Sequence, residues 1–143
     1  MHWRRIDIMF LWHYASQDES GSHVALKRKN VTFTRHSGVV DGQLLGIVDF
    51  GRHRENQIYL PGDQRVSRQH GILKVFEAEH GPRFVFGCLS TNGVIIDDLV
   101  AYSQTHDYPS ELPLRHGSII HIPAVFNDSE KRWIIFVEVT ISS

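Results

Sequence analysis

The residues best equipped for chemistry in this 143-residue chain crowd into "GRHRENQIYLPGDQRVSRQH", where Arg52, Arg54, Arg65 and Arg68 surround Ser67 and His70. Guanidinium forks and a hydroxyl are donors suited to an anion with several oxygens. A second cluster, "STNG" from Ser90 to Gly93, adds small polar side chains to an Asn-Gly pair that signals a tight turn. Serine and histidine could also serve nucleophilic catalysis. The chain, however, has no strained G-x-S-x-G elbow, and no motif places an acidic residue to orient the histidine. It also lacks a G-x-x-x-x-G-K-[ST] phosphate loop and any kinase signature. The set reads as a binding site with no catalytic residue.

Whatever anion it meets must be attracted locally. Fifteen Lys and Arg against 16 Asp and Glu leave a formal net charge of −1, so there is no global field for nucleic acid or an anionic membrane. The longest apolar runs, such as "RWIIFVEVTI", are broken by charge and fall far short of the roughly 20 residues that span a bilayer. The chain should be soluble. The opening "MHWRRIDIMFLWHY" shows no small-residue cleavage site and reads as a first strand. Ten histidines are scattered without ligand spacing or a cysteine partner, so neither metal nor cofactor is expected. The single cysteine, Cys88, excludes an internal disulfide, fits a reducing compartment and reads as a small buried group on a strand.

The elements that must position these residues are strands. In "RWIIFVEVTI", Trp133, Ile135, Val137, Val139 and Ile141 fall on one face by period-two alternation. The same logic marks "VTFTR" (31–35), "LLGIVDF" (44–50), "GILKVF" (71–76), "RFVFGC" (83–88) and "GSIIHI" (117–122). No window carries a helical stripe. Turn clusters such as "LPGD", "EHGP" and "NDSE" separate the runs, which predicts an all-β sandwich of about ten or eleven strands. Residues 1–143 form one domain on this reading, with long loops over 15–23 and 102–111.

The order of the signals is informative: Gly51-Arg52 after one strand, S-x-x-H from Ser67 to His70 before the next, then Ser90-Thr91-Asn92-Gly93. This combination resembles the forkhead-associated (FHA) domain, in motif detail over about residues 44–122. The resemblance implies a SMAD/FHA-like sandwich with its ligand loops at one end, which binds phosphothreonine peptides and recruits phosphorylated partner proteins in signalling. Arg52 would fork onto phosphate oxygens, Ser67 would donate its hydroxyl, and Thr91 and Asn92 would contact the phosphate side and the adjoining peptide backbone. His70 would brace the loop from behind, Gly51 and Gly93 would serve turns, and Arg68 would add a second cation. Arg65 would offer a free cation to an acidic third residue after the phosphothreonine.

Two departures from the family pattern fall at turns: "VIIDD" places Asp97-Asp98 where the family often has x-V-N-G, and "LRHGS" has Ser118 in place of Asp. A nuclear signalling protein, with cytoplasmic residence as the other option, fits the family's occurrence, including in cell-cycle and DNA-damage checkpoint proteins. The Ser16-Gln17 dipeptide resembles a damage-kinase site in an acidic loop. The alternative function is a phosphate-independent interaction scaffold that uses a sandwich face or an edge strand.

Overall fold

A computed structural model of the protein describes residues 3–19 and 26–143. Among these there are eleven strands and no helix: β1 (Arg5–Ala15), β2 (Lys27–Thr34), β3 (Leu44–Gly51), β4 (Ile58–Tyr59), β5 (Gly71–Phe76), β6 (Arg83–Cys88), β7 (Val94–Ile96), β8 (Leu99–Ala101), β9 (Glu111–Leu114), β10 (Ile119–Ile122) and β11 (Arg132–Ser142). One sheet runs β2-β1-β11-β10-β7-β8 and the other β4-β3-β5-β6-β9. Pairing is antiparallel except between β3 and the two-residue β4.

Alternation forces this architecture. Along β1, Ile6, Ile8, Phe10 and Trp12 are buried, and along β11 so are Trp133, Ile135 and Val137. β5 and β6 close the core from the other sheet with Leu73, Val75, Phe84 and Phe86. Phe50 sits at the centre, edge-on to Phe10 at 5.6 Å and to Phe86 at 5.1 Å. Each such side chain contributes about 1.5 to 3 kcal/mol by burial alone. Trp12 Nε1 donates across the sandwich to the Tyr59 carbonyl at 3.2 Å, which fastens the short β4 to the opposite sheet. Cys88 is buried and free, as its place on a strand predicted.

The structure also refines the sequence reading. The segment expected to be one long loop over 102–111 ends in β9, which pairs with β6 through Leu112 and Leu114, both buried. The 15–23 loop begins at Ala15, the last residue of β1, and residues 20–23 of it lie outside the described residues. Ser16 is 7% exposed, and Gln17 is tied by its amide N–H to the Asp128 carbonyl and by Oε1 to Arg132. Ser16 is therefore buried, while Gln17 is exposed but bonded to the neighbouring loop.

The two departures meet in the structure. Asp97 (φ 50°) and Asp98 (φ 69°) form the two-residue turn between β7 and β8, in the left-handed region that such hairpins demand. Ser118 Oγ donates to Asp97 Oδ2 at 2.6 Å, and Asp97 Oδ1 accepts the Ile119 N–H at 3.2 Å. Asp97 thus supplies a carboxylate to the turn in which Ser118 stands.

Candidate phosphate site on the sandwich loops

Three loops meet at one end of the sandwich: 52–57 after β3, 60–70 before β5, and 89–93 between β6 and β7. Backbone pairing places the first two side by side. The Arg52 N–H donates to the Ser67 carbonyl at 2.9 Å, the His53 N–H to that of Arg68 at 3.2 Å, and the His70 N–H to that of Phe50 at 2.8 Å. Gly51 is required by this approach. A Cβ at that position would lie 2.1 Å from the Arg68 carbonyl oxygen and 2.8 Å from Asn56 Nδ2. Gly51→Ala is expected to push the serine loop outward, at a cost of about 2 to 3 kcal/mol. Thermal denaturation together with phosphate-ligand titration checks it, since loop displacement should lower affinity in molecules that remain folded.

His70 links all three elements from inside. It is fully buried. Its Nδ1 accepts the Ser67 N–H at 3.0 Å, so Nε2 carries the hydrogen and donates to the Gly93 carbonyl at 2.8 Å. Burial holds the imidazole at about 4, well below its ordinary 6.5, despite opposing contributions from the Gly93 bond and Asp63. It is neutral at physiological pH and serves as a brace. Gly93 itself takes φ +76° with the Tyr102 ring where a Cβ would be, at 2.5 Å, so no other residue fits there.

On this frame stand the donors. Arg52 Nε donates to the Val66 carbonyl at 2.9 Å, which fixes the guanidinium plane. Among the described residues it makes no ion pair, and both Nη groups remain available to a ligand. Ser67 Oγ lies 2.7 Å from Ser90 Oγ, and Ser90 Oγ also accepts the Asn92 N–H at 3.1 Å. With Ser90 donating to Ser67, the Ser67 proton is left to point at an anion. Arg68 is exposed with no ion pair among the described residues, and Thr91 and Asn92 are exposed at the crest of the third loop. Two arginines, a hydroxyl and further polar groups thus stand on three adjoining loops, a donor set suited to a dianionic phosphate ester.

Arg65 is not the free cation expected. Its Nη2 sits 2.6 Å from Asp63 Oδ2 and its Nη1 2.6 Å from Glu130 Oε1, while Nη2 also donates to the Lys131 carbonyl. Asp63 is in turn bound by Tyr14 Oη at 2.8 Å. Hydrogen bonding from Arg65 holds the Asp63 carboxyl down at about 2, although burial opposes it, and the same partner raises the Arg65 guanidinium. Asn92 also has a role besides the one expected. Its Nδ2 donates to the Arg65 carbonyl at 2.7 Å, which fastens the third loop to the second.

Sequence reasoning missed three contributors. Asn56 donates from Nδ2 to both the His53 and Arg68 carbonyls, at 2.8 and 2.7 Å, and nothing in "RHRENQ" distinguishes it. Ser90 stood inside the recognised "STNG" and was given no role. Glu130 is far along the chain. Among the described residues no three His, Cys, Asp or Glu side chains converge to hold a metal ion.

A two-sheet β-sandwich that gathers arginine, serine and asparagine side chains on its end loops has the make-up of a binding module. Residues 48–123 match the sequence profile of the FHA domain, and the chain belongs to that family. No curated protein sequence matches it. Among solved structures, it is similar to the N-terminal FHA domain of Saccharomyces cerevisiae Rad53p in complex with a phosphothreonine peptide, with a TM-score of 0.61, 13% identity and coverage of 92% of this chain and 94% of that one. Full-length yeast Pml1p gives 0.60 at 14% identity, covering 93% and 83%. An engineered FHA domain with a Myc-pTBD peptide gives 0.59 at 15% identity, covering 97% and 94%. At such identities the likeness establishes the shared fold.

Proposed function

We propose that this chain is a phosphothreonine-dependent peptide-binding module that recruits phosphorylated partner proteins in signalling. The observation that carries the reading is Arg52. It is a guanidinium oriented by the carbonyl of Val66, unpaired with any described carboxylate, and its backbone N–H is bonded to Ser67 on a braced loop. The phosphothreonine complex of the similar Rad53p domain supports the ligand class. Two to four charge-assisted hydrogen bonds at about 1.5 to 3 kcal/mol each, less the ordering of an extended peptide, correspond to dissociation constants of about a micromolar. The test is calorimetric titration with degenerate phosphothreonine, phosphoserine and unphosphorylated peptide pools. Binding of the first pool, with a shallow salt dependence, supports the reading. Equal binding of the unphosphorylated pool refutes it, and a steep salt slope would indicate nucleic acid. A nuclear setting, including checkpoint assemblies, belongs to the same proposal.

The preference for an acidic third residue after the phosphothreonine rested on a free Arg65 and loses that support, because Asp63 and Glu130 already occupy its guanidinium. The wild type should discriminate weakly there. Replacing Glu130 by Gln releases Nη1 and is expected to raise the preference for Asp over Ala about three- to tenfold. A positional peptide library read against both proteins checks it, and an unchanged profile would remove Arg65 from specificity altogether.

A further inference from the structure

The outer face of the six-stranded sheet is unusually apolar for a face that meets water. Its register aligns His13 with Ile134, Ile134 with His121, His121 with Ile95 and Ile95 with Val100. One row over, Leu11, Phe136 and Ile119 lie abreast. Phe136 is 36% exposed and stacks parallel to His13 at 6.0 Å. Burial holds both His13 and His121 below the ordinary imidazole value, so neither is charged at neutral pH, and the charges at the margin of the band are Arg28, across from Leu11, and Glu19, beside His13.

This band is continuous with the phosphate site. A hollow of about 240 Å³ beside Asn92 and Arg65 is walled by Val125 and Phe126. The same two residues wall a second hollow of about 200 Å³ that reaches His121 and Gln17. Those two in turn border a third, of about 220 Å³, floored by Ile134 and Phe136. Phe126, 70% exposed, stands at the crest between the loops and the sheet. Asp98 and Asp128 line the middle hollow, and neither has an ion-pair partner among the described residues. Arg132, which also borders it, is 1% exposed, with its guanidinium tied to Gln17 and to the Asn127 carbonyl.

We infer that the phosphorylated ligand continues past its phosphothreonine over Phe126, and lays on the outer sheet face an apolar segment that carries a lysine or arginine for Asp98 and Asp128. The inference rests on the phosphothreonine reading of the loop site. Continuity of the three hollows sets the path, the Ile134-Phe136 floor sets the apolar character, and the two unpaired carboxylates set the sign of the charge.

The experiment uses fluorescence anisotropy with four probes: a short phosphothreonine peptide pool, two phosphothreonine pools extended by about twelve residues on each side, enough extended chain to cross the sheet, and an unphosphorylated form of the apolar and basic long pool. One extension draws on Leu, Ile, Val, Lys and Arg, the other on Gly, Ser, Asp and Glu. The wild type is expected to bind the apolar and basic pool about tenfold more tightly. Phe136→Glu should abolish the difference, and Asp98→Asn and Phe126→Ser, both at exposed positions, should reduce it, while all four proteins bind the short pool alike. Equal affinity of the wild type for both phosphorylated long pools overturns the inference, as does a preference that survives Phe136→Glu. A wild-type dimer in sedimentation that Phe136→Glu dissociates also overturns it, since a second copy would then occupy the face. Failure of the short pool refutes the phosphothreonine reading and the shared ligand together. Retained, Phe136-sensitive binding of the unphosphorylated long pool would locate that failure in the loop site alone.

Discussion

Arg52→Ala is expected to lower affinity for phosphothreonine peptides at least a hundredfold, while the melting temperature moves by no more than a degree or two. The asymmetry follows from its contacts. The side chain is only half-buried and makes one bond to its own protein, from Nε to the Val66 carbonyl, so its loss scarcely touches the core. For the proposed ligand it would be the oriented fork, and without it a phosphate of nearly two charges would lose its main counter-charge. Arg52→Lys should recover little, because an ammonium is a point charge without the planar pair of donors. Titration calorimetry of both variants, with circular dichroism to confirm folding, decides the matter. Retention of wild-type affinity by Arg52→Ala would move the phosphate elsewhere and refute the site.

The second large effect is acid sensitivity through His70. Its folded value of about 4 lies below the ordinary 6.5, so between these limits the unfolded chain takes up a proton that the folded one refuses. The contribution to stability is therefore complete above about pH 6.5, declines as pH falls, and is exhausted near pH 4, a total of roughly 3 kcal/mol. His13 and His121 are shifted in the same direction by burial and add to the slope. His70→Ala isolates the term. At pH 7 it should cost about 3 kcal/mol or more, because the Ser67 N–H and the Gly93 carbonyl lose their buried partner, and its stability should fall less steeply than wild type between pH 6.5 and 4. Urea denaturation of the unliganded proteins across that window checks both, free of the phosphate's own titration near pH 6. Parallel slopes for the two proteins would show that His70 is not the group responsible.

These effects share one design. The side chains proposed to meet the ligand, those of Arg52, Ser67 and Arg68, take few contacts from the protein, whereas the groups behind them, His70, Asn56 and Gly51, are buried in contacts with backbone. Preorganisation of this kind lessens the ordering cost on binding and leaves the donors unsatisfied until an anion arrives. Arg65 is the exception, being clamped at both ends by its own carboxylates.

What was legible in the sequence was local. Period-two alternation located β3, β5, β6 and β11 nearly to the residue, because a half-buried strand must alternate and few other structures do. Motif order located the three loops, since tight turns and a buried brace demand glycine, Asn-Gly and a histidine whatever lies around them. The tertiary structure decided everything that depends on reach between distant segments. Arg65 reads as a free cation until the β10–β11 loop brings Glu130 to it, and Ser118 reads as a missing acid until Asp97 is found beside it. The apolar outer face was equally invisible: Ile134 and Phe136 look like ordinary strand residues until the register sets them against His13, His121 and Ile119. Alternation says that a strand has two faces, and only the packing of the sheets says which face is the core and what the other is left to meet.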